Sequence, residues 1–203
     1  METRREVARE AARLIYKGAY KEYKDAKEAA ARSLGARSVP SNREVADELD
    51  RLAEEAESPD RLRRLTEMRE TALEVMRLLG DLSPKLIGSV WRGTAWKGSD
   101  VDVVVYGDPD EAERRLKEEH RVTDRTAKTF TVDGAPRAST HLTVEVGAHK
   151  VEVIVRPPGD EDAYRDERCD IYGDAKRGIG LAELERLMRS DPLRRFVPRR
   201  RQR

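Results

Sequence analysis

One short run decides most of what this chain can become. Val101-Asp102-Val103-Val104-Val105-Tyr106 is β-branched and apolar enough for an interior strand, yet it contains a carboxylate, and a second, Asp100, stands two residues earlier. Residues two apart on a strand point to the same face about 7 Å apart, so both acids aim at one spot. Ionised carboxylates among valines are costly to bury unless a cation or hydrogen-bond donors compensate them. Two hard oxygen ligands on one rigid strand suit Mg²⁺. A bare Asp-x-Asp also reads as a strand with an acidic exposed face.

The residues upstream tilt that balance. Lys85-Leu86-Ile87-Gly88-Ser89 is a short strand entering a Gly/Ser turn. A Gly-Ser pair that ends a strand and opens a helical turn presents backbone N–H groups and a hydroxyl, which is how a triphosphate is held without a side-chain cation. Arg92, Thr94 and Lys97 lie in the connection to Asp100. Each is placed to touch phosphate oxygens or to be solvated, with solvation the better reading for Lys97.

Around this centre the chain is punctuated clearly. Val7, Ala11, Leu14, Ile15, Tyr16, Tyr20 and Tyr23 recur at helical spacing, predicting one amphipathic helix that ends near Leu34-Gly35. Ser41 and Glu44 form a capping box opening a second helix, with Val45, Leu49, Leu52 and Ala56 as its buried stripe. Ser58-Pro59-Asp60 supplies an N-cap and an N1 proline for a third helix, whose stripe runs Leu62, Leu65, Met68, Ala72, Val75, Met76, Leu79 before Gly80 closes it. A helix follows from Asp108-Pro109-Asp110 to about Glu119. Thr126 to Val155 alternates, with Gly134 and Gly147 as turns, predicting three antiparallel strands. A last helix covers about Leu181 to Ser190.

Composition narrows the partners. The 203 residues suffice for one domain with an added module, and 41 basic against 40 acidic side chains leave a net charge of +1, so any nucleic-acid partner must be argued from local clusters. The one strong asymmetry is the end of the chain, where residues 193–203 hold six arginines and no acid. That segment reads either as an RNA tether or as a solvated tail. Subtracting those six arginines leaves the rest at −5. The single Cys169 excludes an internal disulfide and a thiolate metal cage, which fits a cytoplasmic protein, and no apolar run is long enough to span a membrane.

Gly88-Ser89, Arg92-Gly93-Thr94, Ser99-Asp100-Val101-Asp102 and the trailing valines together resemble the signature of the DNA-polymerase-beta-type nucleotidyltransferases, over roughly residues 60 to 160. That family includes minimal nucleotidyltransferases, CCA-adding enzymes and poly(A) polymerases. The resemblance implies an α+β fold, a palm-like mixed sheet packed on helices, here with an N-terminal helical segment. It divides the chain into a helical segment 1–57, a catalytic domain 58–160, a helical extension 161–192 and the Arg-rich tail 193–203. It further implies an NTP donor, two Mg²⁺ ions held by Asp100, Asp102 and a third carboxylate, and nucleotide contacts from Gly88, Ser89, Arg92, Thr94 and Ser99. In such a site an acceptor hydroxyl attacks the α-phosphate in line and pyrophosphate leaves.

Two residues compete for the third carboxylate. Glu152 lies in Val151-Glu152-Val153-Ile154-Val155, and Glu145 lies across a turn from Lys150. The stretch His141 to Pro157 is similar to the hairpin of archaeal-type CCA-adding enzymes, which selects Glu152, although Glu replaces the more usual Asp. Glu145 then reads as a cross-strand partner of Lys150. The acceptor favoured by the hairpin is an RNA end. A protein or small-molecule acceptor, as in antitoxin-like AMPylation, and a catalytically silent nucleotide- or RNA-binding module are the alternatives. Trp91 and Trp96 read as core-fillers before base-stacking rings, the Tyr16, Tyr20, Tyr23 stripe as a helix–helix seam, and the three histidines show no ligand spacing.

Overall fold

The computed structural model describes residues 4–132, 134–164 and 167–199. Four helices come first: α1 (Arg4–Tyr16), α2 (Tyr23–Ser33), α3 (Asn42–Glu57) and α4 (Asp60–Leu78). The sheet follows as β1 (Lys85–Ile87), the short helix α5 (Gly88–Arg92), β2 (Val101–Tyr106), α6 (Pro109–Glu119), β3 (Arg121–Val132), β4 (Ala135–Val146) and β5 (His149–Arg156). Strand β6 (Ile179–Gly180) and helix α7 (Leu181–Ser190) come last, and short 3-10 turns lie at Gly80–Leu82 and Asp162–Tyr164. The strand order is β3-β4-β5-β2-β1-β6, with β2 and β5 parallel and the other neighbours antiparallel. The fold is therefore α+β with a mixed sheet.

The alternation of β2 sets the layers. Val101, Val103 and Val105 point to one face and join Val151, Val153, Val155, Leu142 and Val144 in a core closed by Leu65, Met68, Ala72, Val75 and Met76 of α4, Leu116 of α6 and Leu184 of α7. Asp102, Val104 and Tyr106 take the opposite face, which carries the candidate site. A second core joins α1, α2 and α3 through Val7, Ala11, Ile15, Ala26, Ala30, Val45 and Leu49, with Tyr16, Tyr20 and Tyr23 packed on it as the seam the spacing predicts.

Several local expectations need correction. The predicted single first helix is two, because Gly18 at φ +74° lets the chain turn after Tyr16, with Gly18 and Ala19 N–H groups returning to Ile15 and Leu14 carbonyls. The Ser41/Glu44 capping box is present. Ser58, in contrast, ends α3 in an extended conformation, as a residue before proline favours, and Pro59 takes the cap position of α4. In α4 the predicted stripe holds from Leu65 onward, but Leu62 is 42% exposed while Arg61 is buried. Arg61 is inside because its guanidinium donates to the Ala95 carbonyl (2.9 Å), the Asp50 carbonyl (3.1 Å) and Glu54 (2.8 Å). The α3 stripe likewise buries Ala53 and Glu57 in place of Leu52 and Ala56. Strand β3 begins at Arg121, before the predicted Thr126, because it pairs with β4 from Glu145 onward.

The end of the chain is docked up to Pro198. Phe196 stacks on Trp91 with centroids 6.1 Å apart, its N–H reaches the Arg92 carbonyl (2.9 Å), and Arg43 donates to the Pro198 carbonyl (2.9 Å). Arg195 pairs with Asp50. The predicted tail arginines Arg200, Arg201 and Arg203 lie outside the described residues.

Candidate active site

Two carboxylates stand opposite each other where β2 and β5 run side by side, and a third lies just ahead of β2. Parallel register sets Asp102 opposite Glu152, and Asp100 lies two residues upstream of Asp102. Each acid has a different electrostatic setting. The Asp102 carboxyl is pushed up to about 7, by burial first and then by the negative charges of Glu152 and Asp100, with Lys150 opposing. Glu152 is also pushed up by burial, but the His141 hydrogen bond and charge and the Lys128 ammonium outweigh this and leave it below its ordinary value. Asp100 Oδ2 meets Lys150 Nζ at 3.3 Å.

Gly88 is built into this cluster. Its φ is +71°, and a Cβ at that position would lie 2.1 Å from Asp102 Oδ2, so the carboxylate occupies the space that any side chain would need. The glycine therefore supplies both a left-handed turn out of β1 and room for the acid. The connection from Gly88 to Asp100 is fastened from behind. Arg69, fully buried on α4, donates to the carbonyls of Val90 (3.1 Å) and Trp91 (2.9 Å), and Glu57 accepts the Lys97 N–H at 3.1 Å. With Arg61 on the Ala95 carbonyl, α3 and α4 hold the whole loop in place.

The predicted nucleotide contacts fall into two groups. Gly88, Ser89 and Thr94 line a cavity of about 910 Å³ that runs along the open face of the sheet. Arg92 lines it too, but its guanidinium donates to Asp174 (2.8 and 3.1 Å) and the Phe196 carbonyl (3.0 Å) and lies against Trp91 and Tyr172. Ser99 Oγ accepts the Trp96 N–H at 3.1 Å, which tightens the loop before Asp100. Trp91 is buried on Phe196, and Trp96 packs against Tyr16 with centroids 5.4 Å apart.

Glu145 stands opposite Lys150 in register, yet its carboxylate takes Arg121 (3.3 Å) while Lys150 turns to Asp100. His141, given no ligand role by its spacing, is brought by the β4–β5 register to Glu152, with Nδ1 2.8 Å from Oε1. Its Nε2 lies 3.1 Å from Ser139 Oγ, consistent with Nδ1 donating to the carboxylate and Nε2 accepting from the hydroxyl. Nothing in the local sequence signals this contact, because it depends on pairing across a hairpin.

The donor set suits a divalent cation in chemistry: all-oxygen, on and beside adjacent strands, with the charges of Glu152 and Asp100 raising the Asp102 pKa. Among the described residues no three Asp, Glu, His or Cys side chains converge at metal-binding distance. Lys150 on Asp100 and His141 with Lys128 on Glu152 occupy carboxylate oxygens that a cation would use.

Residues 68–156, from the middle of α4 to the end of β5, match the family model of the nucleotidyltransferase domain. Solved structures similar to the chain include the Cid1 poly(U) polymerase with Mg and 3′-dATP bound (15% identity, 62% of this chain, 40% of that chain, TM-score 0.36). They also include the GLD-2/RNP-8 complex (15% identity, 64% and 47%, TM-score 0.35) and a cytoplasmic RNA terminal U-transferase (14% identity, 59% and 38%, TM-score 0.32). The chain spans less than half the length of each of these proteins. No curated protein matches it. No helix among the described residues is long and apolar enough to cross a membrane.

Proposed function

We propose that this protein is a Mg²⁺-dependent nucleotidyltransferase that moves a nucleoside monophosphate from an NTP to a hydroxyl acceptor, with an RNA end the favoured acceptor, and releases pyrophosphate. The observation that carries the reading is the register of Asp102 against Glu152, with Asp100 just ahead of β2 and Gly88 pressed against the Asp102 carboxylate. Asp100, Asp102 and Glu152 would hold the Mg²⁺. When bound, that ion neutralises charge on the transferred phosphoryl group and lowers the pKa of the attacking hydroxyl.

The remaining work belongs to the chain. Gly88 and Ser89 orient the donor phosphates at the mouth of the cavity, with Thr94 beside them. Arg92 and Ser99 keep the loop in shape and so fix where those phosphates sit. His141 and Lys128 hold Glu152 at its place between β4 and β2, and Lys150 shields Asp100, whose carboxylate a bound cation would share. The protein acts mainly by positioning and charge compensation, as phosphoryl transfer requires. In this reading residues 58–160 form the catalytic domain, residues 1–57 a helical module, and residues 161–192 an extension from which Tyr164, Cys169, Tyr172 and Lys176 line the cavity.

The test is incorporation of labelled NTP into RNA by the purified protein with Mg²⁺, comparing the parent with Asp102→Asn. The parent should transfer label and the variant should lose at least about a hundredfold in rate while unfolding at a similar temperature. Full turnover by Asp102→Asn refutes the assignment, and label appearing in protein instead of RNA moves the acceptor to a polypeptide.

A further inference from the structure

Helix α5 spans only Gly88–Arg92, and a single helical turn cannot satisfy its own last carbonyls. Those of Val90, Trp91 and Arg92 all take donors from elsewhere. Arg69 of α4 serves the first two (3.1 and 2.9 Å), and the Phe196 N–H serves the third (2.9 Å). Arg92 returns the bond, its guanidinium donating to the Phe196 carbonyl at 3.0 Å. The turn that carries Gly88 and Ser89 is thus completed by a residue 104 positions away in sequence.

The segment around Phe196 is fastened by the same hands. Arg69 also donates to the carbonyls of Pro192 (2.6 Å) and Arg194 (2.9 Å), so one buried guanidinium is shared between α5 and this segment. The Phe196 ring stacks on Trp91, Arg195 pairs with Asp50, and Arg43 donates to the Pro198 carbonyl. Gly93, which ends α5 at φ +72°, leaves room for the contact: a Cβ there would stand 3.1 Å from the Arg194 carbonyl oxygen and 3.1 Å from Arg195 Cγ.

Two observations separate this arrangement from ordinary packing. Ser89, Trp91 and Arg92 line the cavity, whereas Phe196 is not among the described residues that do, so the segment reaches the site only through α5. Trp91, buried against Phe196, leaves its indole N–H without a hydrogen-bond partner among the described residues. That orphaned donor is a cost of the docked arrangement which release to water would remove, and it keeps docking within reach of a ligand's influence.

We propose that residues 192–198 act as a strap whose docking sets the affinity of the Gly88-Ser89 turn for the phosphates of a nucleoside triphosphate, with Phe196 a positioning residue that works through Trp91 and Arg92. Docked, the strap holds α5 in its binding geometry; released, it lets the turn relax. Because coupling between two sites is reciprocal, a bound nucleotide must tighten the strap by the factor with which the strap tightens the nucleotide. The inference rests on the transferase reading for its ligand, and it names a segment outside the turn and the carboxylates that governs donor affinity.

Binding is measured on the full chain with Mg²⁺ and ATP, GTP, CTP or UTP in turn, by isothermal titration calorimetry. Phe196→Ala should weaken the tightest of these about fivefold or more, and Phe196→Tyr, which keeps the ring, should bind like the parent. In label transfer the loss should fall on the KM for NTP and leave kcat within about twofold. Limited trypsin digestion of the parent, read by mass spectrometry, follows the strap directly. Saturating NTP should slow cleavage after Arg195 by the same factor and leave cleavage after Arg13 in α1 unaffected. This digestion needs no variant, so it decides the question even where Phe196→Ala fails to fold. Unchanged NTP affinity in Phe196→Ala overturns the proposal. So does a loss confined to kcat, equal protection at Arg13, or failure of Phe196→Tyr to restore binding. The two readings fail separately. Protein that binds NTP with this coupling but never transfers a nucleotide supports the strap and refutes the enzyme. Protein that transfers label with a parent-like KM for NTP in Phe196→Ala refutes the strap and supports the enzyme.

Discussion

Replacing Gly88 by alanine tests the link between the turn and the acid most sharply. The added Cβ would stand 2.1 Å from Asp102 Oδ2 and 3.1 Å from its Cγ, against ordinary contact from 3.4 Å, so the carboxylate must retreat by about 1.3 Å. Displacing a reacting group by about 1 Å costs on the order of a hundredfold in rate. The left-handed φ of +71° adds about 1–2 kcal/mol of backbone strain, partly offset because alanine restricts the unfolded chain by about 0.4–1 kcal/mol. Stability should thus fall by only about 1 kcal/mol while activity falls about a hundredfold. Gly18→Ala is the control, because Gly18 has φ +74° but no atom within 4 Å of the new Cβ. It carries the same backbone strain far from the carboxylates. Thermal unfolding by circular dichroism and Mg²⁺-dependent label transfer should show similar stability losses in the two variants and an activity loss in Gly88→Ala alone. Matching activity in both variants would refute the argument that Gly88 positions Asp102.

Two further perturbations probe the scaffold. Arg69→Met leaves the buried carbonyls of Val90 and Trp91 and the part-buried ones of Pro192 and Arg194 without their donor, while relieving the burial that lowers the Arg69 pKa to about 10. With each buried unpaired group costing about 1–3 kcal/mol, the net loss should be about 3 kcal/mol in urea unfolding, and the segment after Pro192 should become sensitive to protease; parent-like values in both measurements would contradict the clamp. Glu44 is held down to about 2, chiefly by the Arg4 hydrogen bond, with Ser41 adding to it against burial. Because its folded pKa is the lower one, its contribution is complete above about 4.5 and is lost as pH falls toward about 2. Glu44→Ala should therefore cost about 1 kcal/mol at neutral pH and be indistinguishable from the parent near the acid end of that window, and a gap that persists there would exclude the linkage.

How much of this could be read from the sequence depended on the range of the interaction. The Ser41/Glu44 box, the β2 strand with its inward valines, the α6 cap at Asp108 and the bounds of α7 are local, and each follows from chemistry within a few residues. The errors were local patterns overruled by distant partners. Leu62 looked like core and Arg61 like surface until the carbonyls of Asp50 and Ala95 and the Glu54 carboxylate gave the guanidinium a reason to be inside. The long first helix broke because a glycine, tolerated in a helix at modest cost, serves better as a turn when α1 and α2 must pack on each other and on α3.

The candidate site divides in the same way. Sequence alone determined that Asp102 stands on the face of β2 opposite Val101, Val103 and Val105, since the side-chain period of two is a property of the backbone, whereas Asp100, expected on the same strand, lies one residue ahead of β2. It also determined that a Gly-Ser turn precedes them. Only the tertiary structure decided that Glu152 stands opposite Asp102, that His141 holds Glu152, that Arg69 and Glu57 fasten the intervening loop, and that Phe130 lines the cavity. Those placements depend on strand register and on contacts between residues 11 to 50 apart in sequence. Register is set by which faces the whole sheet must bury, a condition that no window of sequence contains.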